Sequence, residues 1–257
     1  MKNLKIILIS ILVTCFSGDR LYAANTLINI QMGNGTAYTS DGAAVANLSQ
    51  TWNKFSAAGV NTYSTIKDSA GKTVTGVSVT ENMTTRGNWA ASSTNFTNAT
   101  DLPLMRGGLS INAGQSGYFK FQGLSSGTYD IYIYSEAQKG VPSTINMNVI
   151  TSVGTYGINF SNDSTLKSLT EATSANLYNG NWIKKTVVIN TAVTGQGLNN
   201  LVLNVNGTSG ASMINGIQLQ YVGAVPEPDS VILFGVGGVF VLGLMRIRAK
   251  DDVAVSA

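Results

Sequence analysis

Three tryptophans each stand next to an asparagine in a polar stretch of the chain, at Thr51-Trp52-Asn53, Gly87-Asn88-Trp89 and Gly180-Asn181-Trp182. A flat indole ring can stack on the face of a sugar ring, and a neighbouring amide can bond sugar hydroxyls. Core packing is the other interpretation, since tryptophan is highly buried on average. Trp52, Trp89 and Trp182 are therefore the candidate carbohydrate-stacking residues.

Catalysis by the commonest nucleophile systems is excluded by composition. The chain has no histidine, and its one cysteine is Cys15 near the N terminus. Ser-His-Asp and Cys-His systems and the usual zinc sites need these residues. One segment, Gly123-Leu124-Ser125-Ser126-Gly127, matches the sequence motif of a nucleophile elbow. Strand patterns flank it on both sides, so we expect a hairpin turn. The prediction is a protein that is not an enzyme.

A pair of carboxylates keeps one enzymatic alternative open. Asp130 and Glu136 are the candidates for a glycosidase pair, and Asp130 shares a polar strand face with Tyr132 and Tyr134. Two carboxylates that face each other across a glycosidic bond can hydrolyse it. No motif supports the pair, so Asp130 is expected to be an exposed carboxylate between aromatic neighbours.

Metal and cofactor chemistry have little support in the sequence. Asp41, Asp68, Asp101 and Asp163 could each help to hold a structural calcium ion, but no Asp-rich loop motif surrounds them. We predict no metal site and no cofactor, and we leave structural calcium open.

The N terminus has the three parts of a secretory signal. Lys2 and Lys5 precede an apolar stretch from Ile6 to Val13, and the small residues Ala23 and Ala24 follow. The apolar stretch is shorter than the ~20 residues of a membrane-spanning helix. We therefore expect residues 1–24 to be a signal peptide that the general secretion machinery and signal peptidase process.

The C terminus resembles a stop-transfer signal. Val225, Pro226, Glu227 and Pro228 lead into an uncharged run over residues 231–245. A basic cluster follows, and it consists of Arg246, Arg248 and Lys250. Basic residues after an apolar segment favour the cytoplasmic side of a membrane. The pattern predicts a linker at 223–230, a transmembrane helix at 231–245 and a cytoplasmic tail at 246–257.

This tail resembles the PEP-CTERM sorting signal of Gram-negative bacteria that make exopolysaccharide. The resemblance rests on the order of the Pro-Glu-Pro motif, the apolar helix and the basic cluster, over residues 225–250. It implies processing by an exosortase-type membrane peptidase, a transient anchor, and a final place on the cell surface or in the extracellular matrix. The tail at 251–257 is longer than the family's pattern. A plain type I membrane anchor is the alternative.

Residues 25–222 remain for one extracytoplasmic domain. Apolar residues alternate with polar ones in nine segments, which is typical of half-buried strands. The alternating positions are Ile28, Ile30 and Met32; Val77 and Val79; Phe119 and Phe121; Tyr129, Ile131 and Ile133; Ile145, Met147 and Val149; Tyr156, Ile158 and Phe160; Val187 and Ile189; Leu201, Leu203 and Val205; Ile217, Leu219 and Tyr221. The fold class predicted is all-β, an antiparallel β-sandwich or jelly roll.

The charge of this region is low and gives no nucleic-acid footprint. Ten Lys or Arg stand against eight Asp or Glu in residues 25–222, a net charge of +2. Nucleic-acid binding would need basic residues clustered on one face.

Two segments of the body, Gly127 to Tyr134 and Ile214 to Leu219, resemble strands of galactose-binding-like β-sandwiches. That superfamily includes many carbohydrate-binding modules. Together with the two termini, the resemblance implies an exported, non-enzymatic protein that associates with exopolysaccharide or biofilm matrix. The alternatives are a polysaccharide-degrading enzyme that uses carboxylates and a self-assembling structural or adhesion protein.

Overall fold

The structure is a computed structural model of the chain. It describes residues 26–33, 38, 44–45, 50–56, 59–83, 85–88, 100–136, 143–162, 169–171, 180–190, 201–209 and 211–224. The chain divides into two units, Met1–Gly223 and Ala224–Ala257. The predicted signal peptide, the predicted sorting motif, the segment at 231–245 and the basic cluster all lie outside the described residues. Within those residues, no helix is long and apolar enough to cross a membrane.

The described part of the chain is mostly β-structure. Its strands are β1 (Leu27–Met32), β2 (Trp52–Phe55), β3 (Gly59–Tyr63), β4 (Ser78–Met83), β5 (Thr85–Asn88), β6 (Gly107–Asn112), β7 (Ser116–Gln122), β8 (Gly127–Tyr134), β9 (Ser143–Ile150), β10 (Thr155–Asn162), β11 (Trp182–Ile189), β12 (Leu201–Ser209), β13 (Ala211–Ile214) and β14 (Gly216–Gly223). One short helix, α1 (Leu102–Arg106), precedes β6 and has Pro103 in its first turn. All nine predicted strands are confirmed.

Three sheets account for these strands. A five-stranded sheet has the order β11-β8-β14-β1-β2, and a six-stranded sheet has the order β10-β9-β12-β7-β4-β3. A smaller sheet has the order β13-β6-β5. Neighbouring strands are antiparallel except β1 and β2, which are parallel with Asn29 opposite Trp52.

The core lies between the two large sheets. The five-stranded sheet contributes side chains such as Ile30, Ile131 and Leu219, and the six-stranded sheet contributes Phe119 and Leu203, all in one apolar cluster. Since successive side chains of a strand point to opposite faces, the period-two pattern of the sequence places these residues on the inner faces. An all-β, sandwich-like architecture is therefore confirmed.

The connection at residues 123–127 is not the hairpin that the sequence suggested. It joins β7 of the six-stranded sheet to β8 of the five-stranded sheet, so it crosses from one layer to the other. Gly123 has φ +76°, and a Cβ atom there would overlap the Gly76 carbonyl oxygen. The local sequence specifies a turn, but it does not specify which sheet the next strand joins. The expected absence of a strand-to-helix elbow at this position is confirmed.

Candidate functional site

The side of the five-stranded sheet that faces away from the core carries polar and aromatic residues. On β8 the core side chains alternate with Asp130, Tyr132 and Tyr134, as the sequence predicted. Register then places Trp182 opposite Tyr134, and Lys184 opposite Tyr132. We call this side of the sheet the outer face.

A buried polar network covers the half of the outer face nearest β1. Gln218 lies at its centre and is fully buried. Its Oε1 accepts from the Tyr134 hydroxyl and from the Val45 N–H, the latter at 3.3 Å, and its Nε2 donates to Asn29 Oδ1 at 2.9 Å. Gln31 accepts from the Tyr38 N–H at 2.8 Å. These bonds satisfy buried amides and hold the covering residues against the sheet.

Trp52 lies in the apolar cluster that completes this cover. Its ring meets Tyr38 edge to face at 5.0 Å between centroids, and it meets Tyr134 at 6.4 Å. Leu104 and Met105 of α1 are fully buried in the same cluster. The side chain of Trp52 is partly buried and packs against this cluster. The structure thus gives Trp52 a packing role in this cluster.

The half of the outer face nearest β11 is more open. Lys184 Nζ forms an ion pair with Asp130 Oδ2 at 2.6 Å, and the Thr186 hydroxyl donates to Asp130 Oδ1 at 2.6 Å. The ammonium also lies 5.6 Å from the Tyr132 ring centroid. The rings of Tyr132 and Trp182 are 6.0 Å apart and tilted by 42°. We call this group the outer-face patch; it consists of Asp130, Tyr132, Glu171, Trp182, Lys184, Thr186 and Gln220.

The members of the patch differ in how much of each side chain is exposed to solvent. Lys184, Thr186 and Glu171 are exposed, and Trp182 and Gln220 are partly exposed. Tyr132 is largely buried, with its hydroxyl donating to Gln220 Oε1 at 3.4 Å. Asp130 is not the exposed carboxylate expected from the sequence, since only 10% of its side chain is exposed and both of its oxygens have partners in Lys184 and Thr186. An incoming ligand would therefore meet a ring, an ammonium, a hydroxyl, an amide and the Glu171 carboxylate.

The charges of the patch are coupled. The hydrogen bond to Asp130 raises the pKa of Lys184 above its ordinary value, so the ammonium is charged at neutral pH. Burial raises the pKa of Tyr132, so its hydroxyl is neutral and can donate. The charges of Asp130 and Glu171 also act on this hydroxyl, and both raise its pKa. Glu171 forms a backbone bridge with Trp182 and so is its neighbour across the sheet.

The structure separates the candidate glycosidase pair. Asp130 and Glu136 are six residues apart along β8 and its extension, which is roughly 20 Å at about 3.3 Å a residue. Glycosidase carboxylates lie about 5–9.5 Å apart. Glu136 is fully buried, and its backbone N–H donates to Asn215 Oδ1 at 2.5 Å. These two carboxylates cannot flank one glycosidic bond, while the broader prediction that the protein is not an enzyme stays a prediction.

The other predicted residues fall in two groups. Trp89, Asp41, Asp163 and the residues of the sorting tail lie outside the described part of the chain. Asp68 Oδ1 accepts from the Lys72 N–H at 2.8 Å in a turn, and Asp101 Oδ1 accepts from the Tyr38 hydroxyl at 2.6 Å. No three His, Cys, Asp or Glu residues of the described ranges come together as a metal site would require.

Sequence reasoning missed four members of the patch: Glu171, Lys184, Thr186 and Gln220. The alternation in Trp182–Ile189 predicted a strand, and it places Lys184 and Thr186 on the same face as Trp182. Their neighbours across the sheet depend on the pairing of β11 with β8, about which local sequence carries no information.

No protein-family model matches the chain, and no curated protein matches it. Among solved structures, it is similar to a calcium-binding mutant of Bacteroides uniformis beta-glucuronidase 2, with 16% identity and a TM-score of 0.38, over 76% of this chain and 18% of that chain.

It is also similar to TmCBM61 in complex with beta-1,4-galactotriose, with 16% identity and a TM-score of 0.25, over 44% of this chain and 70% of that chain. A third similar structure is exo-beta-1,3-galactanase from Phanerochaete chrysosporium with galactose, with 14% identity and a TM-score of 0.25, over 58% of this chain and 31% of that chain. At these values the likenesses assign neither a family nor an activity to the chain.

Proposed function

We propose that this chain is an exported, non-enzymatic β-sandwich protein that associates with extracellular polysaccharide through the outer-face patch. The observation that carries the proposal is the position of Trp182. Its side chain packs against the cluster that contains the Tyr132 ring yet stays partly exposed, and Lys184 of the ion pair with Asp130 lies on the same face of β11.

The chemistry of the patch suits a sugar. Trp182 offers apolar ring surface against which the C–H face of a pyranose can pack. Lys184 and Thr186 offer donors, and Gln220 offers an amide, at the edge of that ring. Small-ligand sites in proteins combine aromatic surface with a few placed polar groups in this way. Binding needs no nucleophile, which fits a chain without histidine.

Trp182→Ala provides the test. The purified full chain and the variant are incubated with a panel of insoluble polysaccharides and with native exopolysaccharide, and bound protein is measured after sedimentation. We expect the wild type to be retained by at least one polysaccharide and the variant to lose roughly tenfold or more in affinity, as for an anchor residue.

Tyr156→Ala is the matched control. Tyr156 is also a partly buried aromatic with a lysine near its ring, Lys185 at 5.8 Å, but it belongs to the six-stranded sheet. This variant should bind as the wild type does, with circular dichroism confirming that both variants fold. Equal binding by wild type and Trp182→Ala would remove the patch from the proposal. Retention by no polysaccharide would instead favour the self-assembling alternative.

We further propose that the two ends of the chain direct its export and sorting. The signal-peptide pattern at 1–24 supports export across the inner membrane. The Pro-Glu-Pro motif, the apolar run at 231–245 and the basic cluster support a transient membrane anchor that an exosortase-type peptidase releases. Prolines on both sides of Glu227 favour extended backbone, which suits the cleft of a peptidase.

The sorting proposal is tested in a Gram-negative host that has an exosortase. We expect the wild type to be found in the surface or medium fraction, and a chain with Pro226→Ala and Pro228→Ala to remain in the membrane fraction. The same wild-type chain in a host without an exosortase is the control and should also stay in the membrane. Release of the protein despite the proline substitutions, and also in the host without an exosortase, would exclude this route and favour a different fate for the tail.

A further inference from the structure

The charge arrangement of the outer-face patch points to the class of polysaccharide. Two carboxylates, Asp130 and Glu171, and one ammonium, Lys184, surround the Tyr132 and Trp182 rings. Counting these groups gives a net charge of −1. Lys185 comes next in the chain, but its ammonium lies over Tyr156 of the six-stranded sheet. It therefore does not add to the positive charge beside Trp182.

The single ammonium of the patch already has a partner. Lys184 Nζ lies 2.6 Å from Asp130 Oδ2, and the second oxygen of Asp130 accepts from Thr186. Asp130 is largely buried, whereas 40% of the Lys184 side chain is exposed. If a ligand carboxylate drew Lys184 away, a nearly buried carboxylate would lose its counter-charge, and that loss is strongly unfavourable.

Binding of a sugar hydroxyl does not require Asp130 to lose its counter-charge. A neutral sugar hydroxyl can accept from Lys184 Nζ, which has three donors, while the ion pair with Asp130 stays intact. A carboxylate on the sugar would also approach Glu171, which is exposed beside Trp182. Like charges placed together disfavour the wrong partner and so create specificity.

We infer that the outer-face patch binds neutral polysaccharides and discriminates against uronic-acid-containing ones. This inference rests on the proposed polysaccharide binding, and it adds the substrate class. Recognition uses the Trp182 ring and the polar groups around it, and Asp130 and Glu171 supply the discrimination. Binding should also depend little on salt, because no ligand charge is neutralised.

The experiment compares one polysaccharide in two charge states. A polysaccharide that retains the full chain is used as such and after oxidation of its C6 hydroxymethyl groups to carboxylates. We expect oxidation to weaken binding by about tenfold or more. Moderate salt should leave binding of the unmodified form unchanged.

Glu171→Gln is the diagnostic variant, because Glu171 is exposed and its replacement does not disturb the Asp130–Lys184 pair. Oxidation of the polysaccharide should weaken binding by this variant several-fold less than it weakens binding by the wild type, so the quantity compared is each protein's ratio of affinities for the two forms. Lys185→Gln, a charge change on the far side of β11, should alter neither affinity.

The outcomes separate the two proposals. Equal or tighter binding of the oxidised form, or retention by acidic polysaccharides alone, would overturn the neutral-ligand inference and leave polysaccharide binding standing. Failure to bind any polysaccharide would overturn the proposed function, and the inference with it.

Discussion

Glu81 is an ionisable residue on the core side of the six-stranded sheet. It occupies a buried position of β4 between Val79 and Met83, and its side chain is fully buried. Its Oε1 accepts from the Tyr63 hydroxyl at 3.1 Å and from Asn61 Nδ2 at 3.3 Å, while Oε2 makes no hydrogen bond to any described residue. Burial raises the pKa of Glu81 from 4.5 to about 7, and these two hydrogen bonds oppose the shift.

This shift makes stability depend on pH in a defined direction. Since the folded pKa of Glu81 is above the unfolded value, the folded state holds the extra proton between pH 4.5 and about 7. The resulting stabilisation is complete below pH 4.5 and is lost as the pH rises through about 7. We expect the free energy of unfolding of the wild type to fall by up to about 3 kcal/mol over this window, relative to Glu81→Gln.

Urea unfolding of both proteins at a series of pH values measures this difference, and groups common to the two proteins cancel. Tyr63→Phe is a second variant, since it removes a hydrogen bond that favours the charged carboxylate. It should move the transition to higher pH. Parallel pH profiles for wild type and Glu81→Gln would show that Glu81 does not titrate in this range.

At the scale of the elements, the 123–127 connection depends on one backbone position. Gly123 combines a positive φ with a close approach to the Gly76 carbonyl, where β7 leaves one sheet and the chain crosses to the other. A side chain there meets two separate obstacles: left-handed backbone strain and a clash with backbone that cannot rotate away.

Gly123→Ala should therefore destabilise the fold by about 3 kcal/mol or more, because both obstacles act. Gly114→Ala is the matched control, since Gly114 has φ +77° with nothing within 4 Å of the added Cβ. It should cost only the backbone strain, about 1–2 kcal/mol. Chemical denaturation measures the free energy of unfolding of both variants. Equal losses of stability would mean that the Gly76 backbone can shift at no cost in free energy.

The alternation of apolar and polar residues predicted nine strands, but it did not predict several short ones. Each of the nine predicted strands, such as β8 or β12, has two or three alternating apolar residues, and this pattern is a sufficient signal. The strands β2, β5 and β13 have four residues each, too few for alternation to be distinguished from chance. β6 reads Gly-Gly-Leu-Ser-Ile-Asn, and its two glycines hide the pattern.

At the scale of the whole molecule, the site could be predicted only in part. Trp182 and Asp130 were visible as residue types suited to sugar chemistry, and the strand face shared by Asp130, Tyr132 and Tyr134 followed from period two. Their meeting with Lys184 and Thr186 depends on β8 pairing with β11, two strands that are about 50 residues apart in the chain. Such pairings are decided by the packing of the whole domain.

The covering of Trp52 is a tertiary effect of the same kind. Trp52 pairs with β1 through its backbone, but its ring meets Tyr38 and packs against a cluster that includes two residues of α1. Neither partner can be inferred from the Thr-Trp-Asn triplet. Trp182 packs against the same cluster, but it has exposed Lys184 and Thr186 on its own strand face, and this difference in neighbours could not be inferred from the two triplets.

The position of β14 in the five-stranded sheet has a consequence for how the protein is made. β14 lies between β8 and β1, with Leu27 opposite Gln220, so the first described strand is joined to the rest of its sheet through the last one. A chain that ends before Gly216 retains two strand pairs, β11-β8 and β1-β2, without the strand that connects them. Closure must wait for β1 and β14 to pair, and such a long-range contact is slow to form. A nascent chain, which is made from its N terminus, would therefore stay open to chaperones and proteases until residue 223 has been added, and a premature stop in the last strand would remove the strand that joins β8 to β1.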